Sequence, residues 1–116
     1  MIELELVPSA ENRFSHILEA INAIQAELRE CSEKQLANDR MQRLAIERLF
    51  EIIGVASDHI PAEIKAAESM VDWRCLADIG ARLENTRDRI EPEVLWRSAR
   101  EKLVPLKACA ERRIRT

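Results

Sequence analysis

From Phe14 to Leu28 the apolar residues Phe14, Ile17, Leu18, Ile21, Ile24 and Leu28 recur three or four positions apart. That spacing puts them on one stripe of a helix, with Glu, Gln and Asn on the other side. It does not suit a strand, whose side chains change face at every residue. Ser9 stands where its hydroxyl can cap the start of this helix. Ser32-Glu33-Lys34-Gln35 fits a capping box, the Ser32 hydroxyl reaching forward and Gln35 reaching back. A second long helix is expected from there to about His59. Its apolar positions Leu44, Ile46, Leu49, Phe50, Ile52, Ile53, Val55 and Ala56 cover two faces. A helix apolar on two sides sits centrally or makes a subunit interface.

The remaining signals continue the helical pattern. Pro61 opens a short helical turn over Ile64 to Ser69, and Asp72 can cap a third helix carrying Trp73, Leu76, Ile79 and Leu83. Glu91-Pro92 begins a fourth, with proline in the first turn, where its missing N–H costs nothing. That helix carries Val94, Leu95, Ala99, Leu103 and Leu106, and Pro105 is expected to kink it late in its course. Met1 to Leu6 alternates Ile2, Leu4 and Leu6 with Glu3 and Glu5 in a strand-like period closed by Pro8. With no second strand in view, residues 1–8 are expected to form an extended arm.

The expected fold is all-α: an up-and-down four-helix bundle over about 9–113 with a short extra helical turn, in one domain spanning 1–116. Composition agrees. Two glycines and four prolines in 116 residues leave few turns, and with 3% aromatics aliphatic side chains must fill the core. A chain of this length buries about two-thirds of its unfolded surface. Apolar residues at 47% and charged residues at 34% suit a soluble globular protein.

No apolar run approaches the roughly 18 residues needed to cross a bilayer, so no membrane is expected. The acidic N-terminus lacks the basic start of a signal peptide, which points to the cytoplasm. Cys31, Cys75 and Cys109 are far apart, without a C-x-x-C, and read as small buried or half-buried hydrophobes. With only two histidines, a His-based metal site is not expected, nor is any other cofactor.

Charge is uneven along the chain. Residues 1–79 hold 8 basic against 15 acidic side chains (−7), and residues 80–116 hold 10 against 6 (+4). The basic end can face RNA phosphates or an acidic partner. The plainer expectation is a solvated last helix whose cations suit its C-terminal dipole.

The segment from Trp73 to Trp96, W-R-C-L-A-D-I-G-A-R-L-E-N-T-R-D-R-I-E-P-E-V-L-W, together with Met41 to Ala56, which ends in E-I-I-G-V-A, resembles the HepT-like family of the HEPN superfamily. The resemblance covers most of residues 10–110 and implies a HEPN-like bundle. It also implies a ribonuclease toxin of a prokaryotic toxin–antitoxin pair, acting as a homodimer with its motif at the subunit junction. The implied partner is a minimal nucleotidyltransferase antitoxin that adenylylates the motif tyrosine.

The family's motif is R-N-x-x-x-H-x-Y. With the Trp73-Arg74 and Val94-Leu95-Trp96 ends in register and no gap, it falls on residues 80–87. Gly80 then stands for Arg, Ala81 for Asn, Asn85 for His and Arg87 for Tyr. Cleavage of RNA through its 2′-OH needs a proton acceptor and donor near neutral pKa, which His supplies. It also needs a fixed cation for the developing phosphorane charge, which Arg supplies. The amide of Asn85 does not titrate in the useful range, and loss of acid–base help alone costs about 10²–10⁴-fold. Moving the register by two makes Arg82 the motif Arg but puts Arg87 at the His position. No Arg has a His four to seven residues downstream, and there is no Tyr.

No catalytic residue is therefore expected, and positions 80, 81, 85 and 87 read as a vestigial motif. The expected role is a toxin-family protein working through protein–protein contacts. Beside it stand an endonuclease using rearranged groups such as Arg82, Arg87 and a distant His59, and a non-catalytic RNA-binding module. Arg82, Arg87 and Arg89 are the RNA-facing candidates, although pairing with Glu84, Asp88 and Glu91 on the surface accounts for them as well. His16 and His59 read as structural or surface residues. Trp73 and Trp96 read most simply as core or interface anchors, with stacking on a nucleic-acid base as the lesser alternative. Gly80 within a helical pattern costs about 1 kcal/mol relative to Ala and signals a close helix approach or a kink.

Overall fold

The computed structural model describes residues 10–86 and 90–115, with the side chains of Asn85, Thr86 and Arg115 outside the description. The expected arm at 1–8, the Ser9 cap, and Arg87 and Arg89 also lie outside it. Among the described residues there are seven α-helices, one π-helical turn and no strand. The helices are α1 (Ala10–Leu28), α2 (Glu33–Asn38), α3 (Arg40–Asp58), α4 (Ala62–Ala67), α5 (Trp73–Ala81), α6 (Pro92–Glu101) and α7 (Leu103–Arg115). The π-helical turn, Arg82–Thr86, continues directly from α5. No described helix is long and apolar enough to cross a membrane.

The helix starts follow the caps. At Ser32 the capping box closes in both directions, with Gln35 N donating to Ser32 Oγ at 3.1 Å and Ser32 N donating to Gln35 Oε1 at 2.8 Å. Asp72 Oδ1 accepts from Cys75 N at 3.1 Å and starts α5, while Pro92 occupies the first turn of α6.

The long second helix expected from Ser32 to His59 is in fact two. Asp39 interrupts it with an extended backbone, and its Oδ1 accepts from Gln42 N at 3.0 Å, so α3 starts afresh just after α2 ends. The fourth helix is likewise divided. Pro105 has no N–H to offer the carbonyl of Glu101, and its ring crowds that carbonyl, so α6 ends at Glu101 and α7 carries the chain onward.

The helix α3 is central, packed on α1 along one side and on α5 along another. Phe14, Ile17, Ile21 and Ile24 from α1 meet Ile46, Phe50 and Ile53 from α3 in a core completed by Leu76, Leu95, Leu103 and Leu106. Each of these is almost fully buried, and such a side chain contributes about 1.5–3 kcal/mol relative to exposure. The apolar stripe of α3 runs beyond the core: Met41 is 75% and Leu44 37% exposed.

The contact between α3 and α5 is made by backbone. The chain's only two glycines, Gly54 and Gly80, face each other there. A Cβ on Gly54 would lie 2.6 Å from Gly80 Cα and 2.9 Å from the Leu76 carbonyl oxygen, and a Cβ on Gly80 would lie 2.8 Å from Gly54 Cα. Helices bearing side chains at the contact stand about 8–10 Å apart. Here the missing side chains let the two backbones touch. The close approach anticipated for Gly80 is present, and its partner is Gly54.

Candidate functional site

The Gly54–Gly80 contact forms the floor of an open cleft of about 330 Å³ between α3 and α5. Val55, Asp58 and His59 line it from α3 and the residue after it. Ala77, Asp78 and Ala81 line it from α5, and Glu84 from the π-helical turn. Motif positions Gly80 and Ala81 therefore lie within the cleft, Gly80 buried and Ala81 exposed. The segment from Gly80 onward is α-helical to Ala81 and π-helical through Thr86, which places Asn85 in the π-turn by its backbone. A π-turn admits one extra residue into the helical path and shifts the side chains that follow, a feature common at functional sites. Arg82 is exposed and is not among the lining residues.

The fold brings His59 to the motif, which sequence spacing did not, and Asp58 beside it. His59 follows the last turn of α3, and its Nδ1 lies 2.9 Å from the Val55 carbonyl oxygen. A carbonyl only accepts, so this contact is a hydrogen bond when the ring carries a proton on Nδ1. His16, by contrast, is exposed on α1 and lines no part of this cleft.

The described lining is acidic: three carboxylates, Asp58, Asp78 and Glu84, line the cleft and, among the described residues, no Lys or Arg does. A phosphate about 4 Å from one such charge is opposed by about 1 kcal/mol in bulk water and about 4 kcal/mol at the dielectric of a protein surface. Gly80 cannot be relieved by a modest shift either. A guanidinium at that position would have to leave from a Cα already in contact with the α3 backbone.

Other reactive groups stand elsewhere. Burial pushes the Cys75 thiol above its ordinary range and holds Cys109 at about 11, so neither is a thiolate nucleophile at neutral pH. Cys31 is half-buried beside Gln42, its Sγ 3.2 Å from Gln42 Oε1. Among the described residues no group of three or more His, Cys, Asp or Glu side chains is placed to hold a metal ion.

The two tryptophans are half-buried anchors. Trp73 Nε1 donates to the Glu68 carbonyl oxygen at 3.2 Å, and the Lys65 ammonium lies 5.9 Å from its ring centre. Trp96 has the Arg100 guanidinium 5.5 Å from its ring centre. Glu68 also receives Arg112 and Arg113, the latter through Nε at 2.8 Å, tying the end of α4 to α7. Sequence reasoning missed this link and the pairing of Gly54 with Gly80. A signal for the second was available: both glycines of the chain fall inside helical patterns, where glycine is costly unless something must come close.

The comparisons with known proteins agree with this architecture. The family model described as "Ribonuclease HepT-like" matches residues 17–113. A protein of Thermococcus cleftensis named "Probable ribonuclease HepT" is 30% identical over 104 residues, covering 90% of this chain and 94% of that protein. No solved structure matches. The chain belongs to the HepT-like ribonuclease family.

Proposed function

We propose that this chain is a toxin-family protein of a toxin–antitoxin context whose ribonuclease motif has been lost, and that it acts mainly through protein–protein contacts in the cytoplasm. The carrying observation is the Gly54–Gly80 contact, in which the residue at the motif Arg position has no room for any side chain. The acidic lining of the same cleft adds to it, since a site meant for phosphodiesters needs cations where Asp58, Asp78 and Glu84 stand. In this reading the protein is a homodimer. The exposed Met41 and Leu44 on α3 supply apolar surface for a partner, and the natural heterologous partner is a minimal nucleotidyltransferase antitoxin.

The test is co-purification from the native host, paired with size measurement of the pure protein. A dimer that retains a nucleotidyltransferase is expected, and a monomer that captures no partner overturns the proposal. An adjacent reading frame carrying G-S-x-x-x-G-x-x-x-x-D-x-D would mark that partner.

A second reading has one observation in its favour. His59 lines the cleft that holds Gly80 and Ala81, and an imidazole there has the chemistry to accept a 2′-OH proton. Under that reading pure protein cleaves RNA, and His59→Ala abolishes the cleavage.

A further inference from the structure

A second concavity lies between the C-terminal half of α1 and the α6–α7 junction, and it shares no lining residue with the motif cleft. It measures about 270 Å³, and its walls include Leu28, Arg29, Trp96, Ala99, Arg100 and Val104. Ligand pockets for drug-sized molecules begin at about 300 Å³, so this groove is sized for a single flat ring system. Val104 is 56% exposed, one of the few large aliphatic side chains the fold leaves open to solvent.

Its charge is the reverse of the motif cleft. Arg29 and Arg100 line it and, among the described residues, no carboxylate does. Neither guanidinium is in an ion pair with a described residue, although other arginines of the chain are paired, as Arg112 and Arg113 are with Glu68. Arg100 instead lies against the Trp96 ring. Lys107 Nζ donates to the groove residue Gln25 at 2.9 Å, which brings a third cation to its edge.

Apolar walls with a tryptophan select a planar ring, and unpaired guanidiniums select an anion. The molecule that joins the two is a nucleotide. We infer that this groove binds a nucleotide of single-stranded RNA, with the base stacked on the Trp96–Arg100 pair and the phosphate held by Arg29 and Arg100. Membership of a ribonuclease-like family is what selects RNA over an acidic aromatic peptide as the occupant. The inference does not depend on the fate of the motif cleft, because RNA bound without being cut leaves the loss of catalysis standing.

The test uses the full chain and a short end-labelled single-stranded RNA, read by fluorescence anisotropy, with the RNA run on a gel afterwards to show whether it was cut. Both arginines are exposed, so Arg29→Gln/Arg100→Gln is expected to fold normally, which a thermal melt checks. It should weaken RNA binding about tenfold or more and flatten the dependence of log affinity on log salt by about 0.7 for each phosphate that the variant no longer neutralises. In a Trp73→Phe background the remaining Trp96 fluorescence should be quenched on titration with RNA. The anisotropy measurement is made on the wild-type background, so it decides the matter even if Trp73→Phe fails to fold. Unchanged affinity in the double variant overturns the proposal. So does equally tight, equally arginine-dependent binding of an Asp/Glu-rich aromatic peptide, or of a free mononucleotide.

Discussion

The cleft between α3 and α5 and the groove beside Trp96 are both open hollows with aliphatic walls, and they are opposite in charge. The first holds Asp58, Asp78, Glu84 and His59, and the second holds Arg29 and Arg100. The first also holds Gly80 and Ala81, where the sequence register puts the family's motif, and its floor is backbone against backbone. The second lies off the motif altogether. Chemistry on RNA and attraction to RNA are separable physical properties: one needs a titratable base and a placed cation, the other needs only cations and a stacking surface. In the reading proposed above, the motif cleft has lost the means for both, while the groove keeps the second.

The largest expected effect comes from forcing a motif residue back into the cleft. Gly80→Arg puts a side chain where a Cβ alone would meet Gly54 Cα at 2.8 Å, so α3 and α5 must separate. The expected loss is about 3 kcal/mol or more, seen as a drop in thermal midpoint of about 10 °C or more and with no gain of nuclease activity. Gly80→Ala is the milder version. It gains about 1 kcal/mol of helix propensity yet should still be destabilising, because the atom it meets belongs to backbone and cannot turn aside. A stable, active Gly80→Arg protein would erase the distinction between a closed cleft and an open groove.

The next effect separates cations that are already used from those that are not. Glu68, whose side chain is 10% exposed, holds Arg112 and Arg113. Burial raises its carboxyl pKa, but the hydrogen bonds from Arg113 and Arg112 outweigh this and hold it below the ordinary 4.5. A depressed folded-state pKa stabilises the fold above the unfolded value, and that stabilisation is lost as pH falls through the folded one. Urea denaturation should therefore show stability falling below about pH 4.5. Glu68→Gln should cost about 2 kcal/mol at neutral pH and flatten the acid limb. An unchanged acid limb would mean that these arginines are as free as Arg29 and Arg100.

The smallest effect belongs to the exposed carboxylates. Asp58→Asn, Asp78→Asn and Glu84→Gln remove charge from the motif cleft at solvent-facing positions, where single substitutions usually change stability by no more than about 0.5 kcal/mol. RNA affinity measured by anisotropy should move by less than about threefold, because the strand is held at the other hollow. A large gain would place RNA in the motif cleft instead.

Much of the fold could be read from the chain because it is written in local chemistry. The Ser32 box, the Asp72 cap, Pro92 in the first turn and the apolar stripe of α1 all act within a few residues, and all appear where expected. The break at Asp39 is local too, but an Asn-Asp pair inside a helical period reads as a neutral interruption until the side chain is seen accepting from Gln42. What could not be read is whatever depends on two distant segments meeting. Gly54 and Gly80 lie 26 positions apart, and His59 reaches the cleft only because α3 packs on α5. The candidate arginines show the same limit. Arg82 is exposed outside the cleft, Arg87 and Arg89 fall outside the described residues, and Arg29 and Arg100, which belong to different helices, converge only in the folded chain.

The most direct measurement is incubation of the pure protein with tRNA and mRNA, with the products resolved on a denaturing gel. The proposed loss of the motif predicts RNA that remains intact at every protein concentration, including those at which it is bound. Cleavage that disappears with His59→Ala or Arg82→Ala would contradict it.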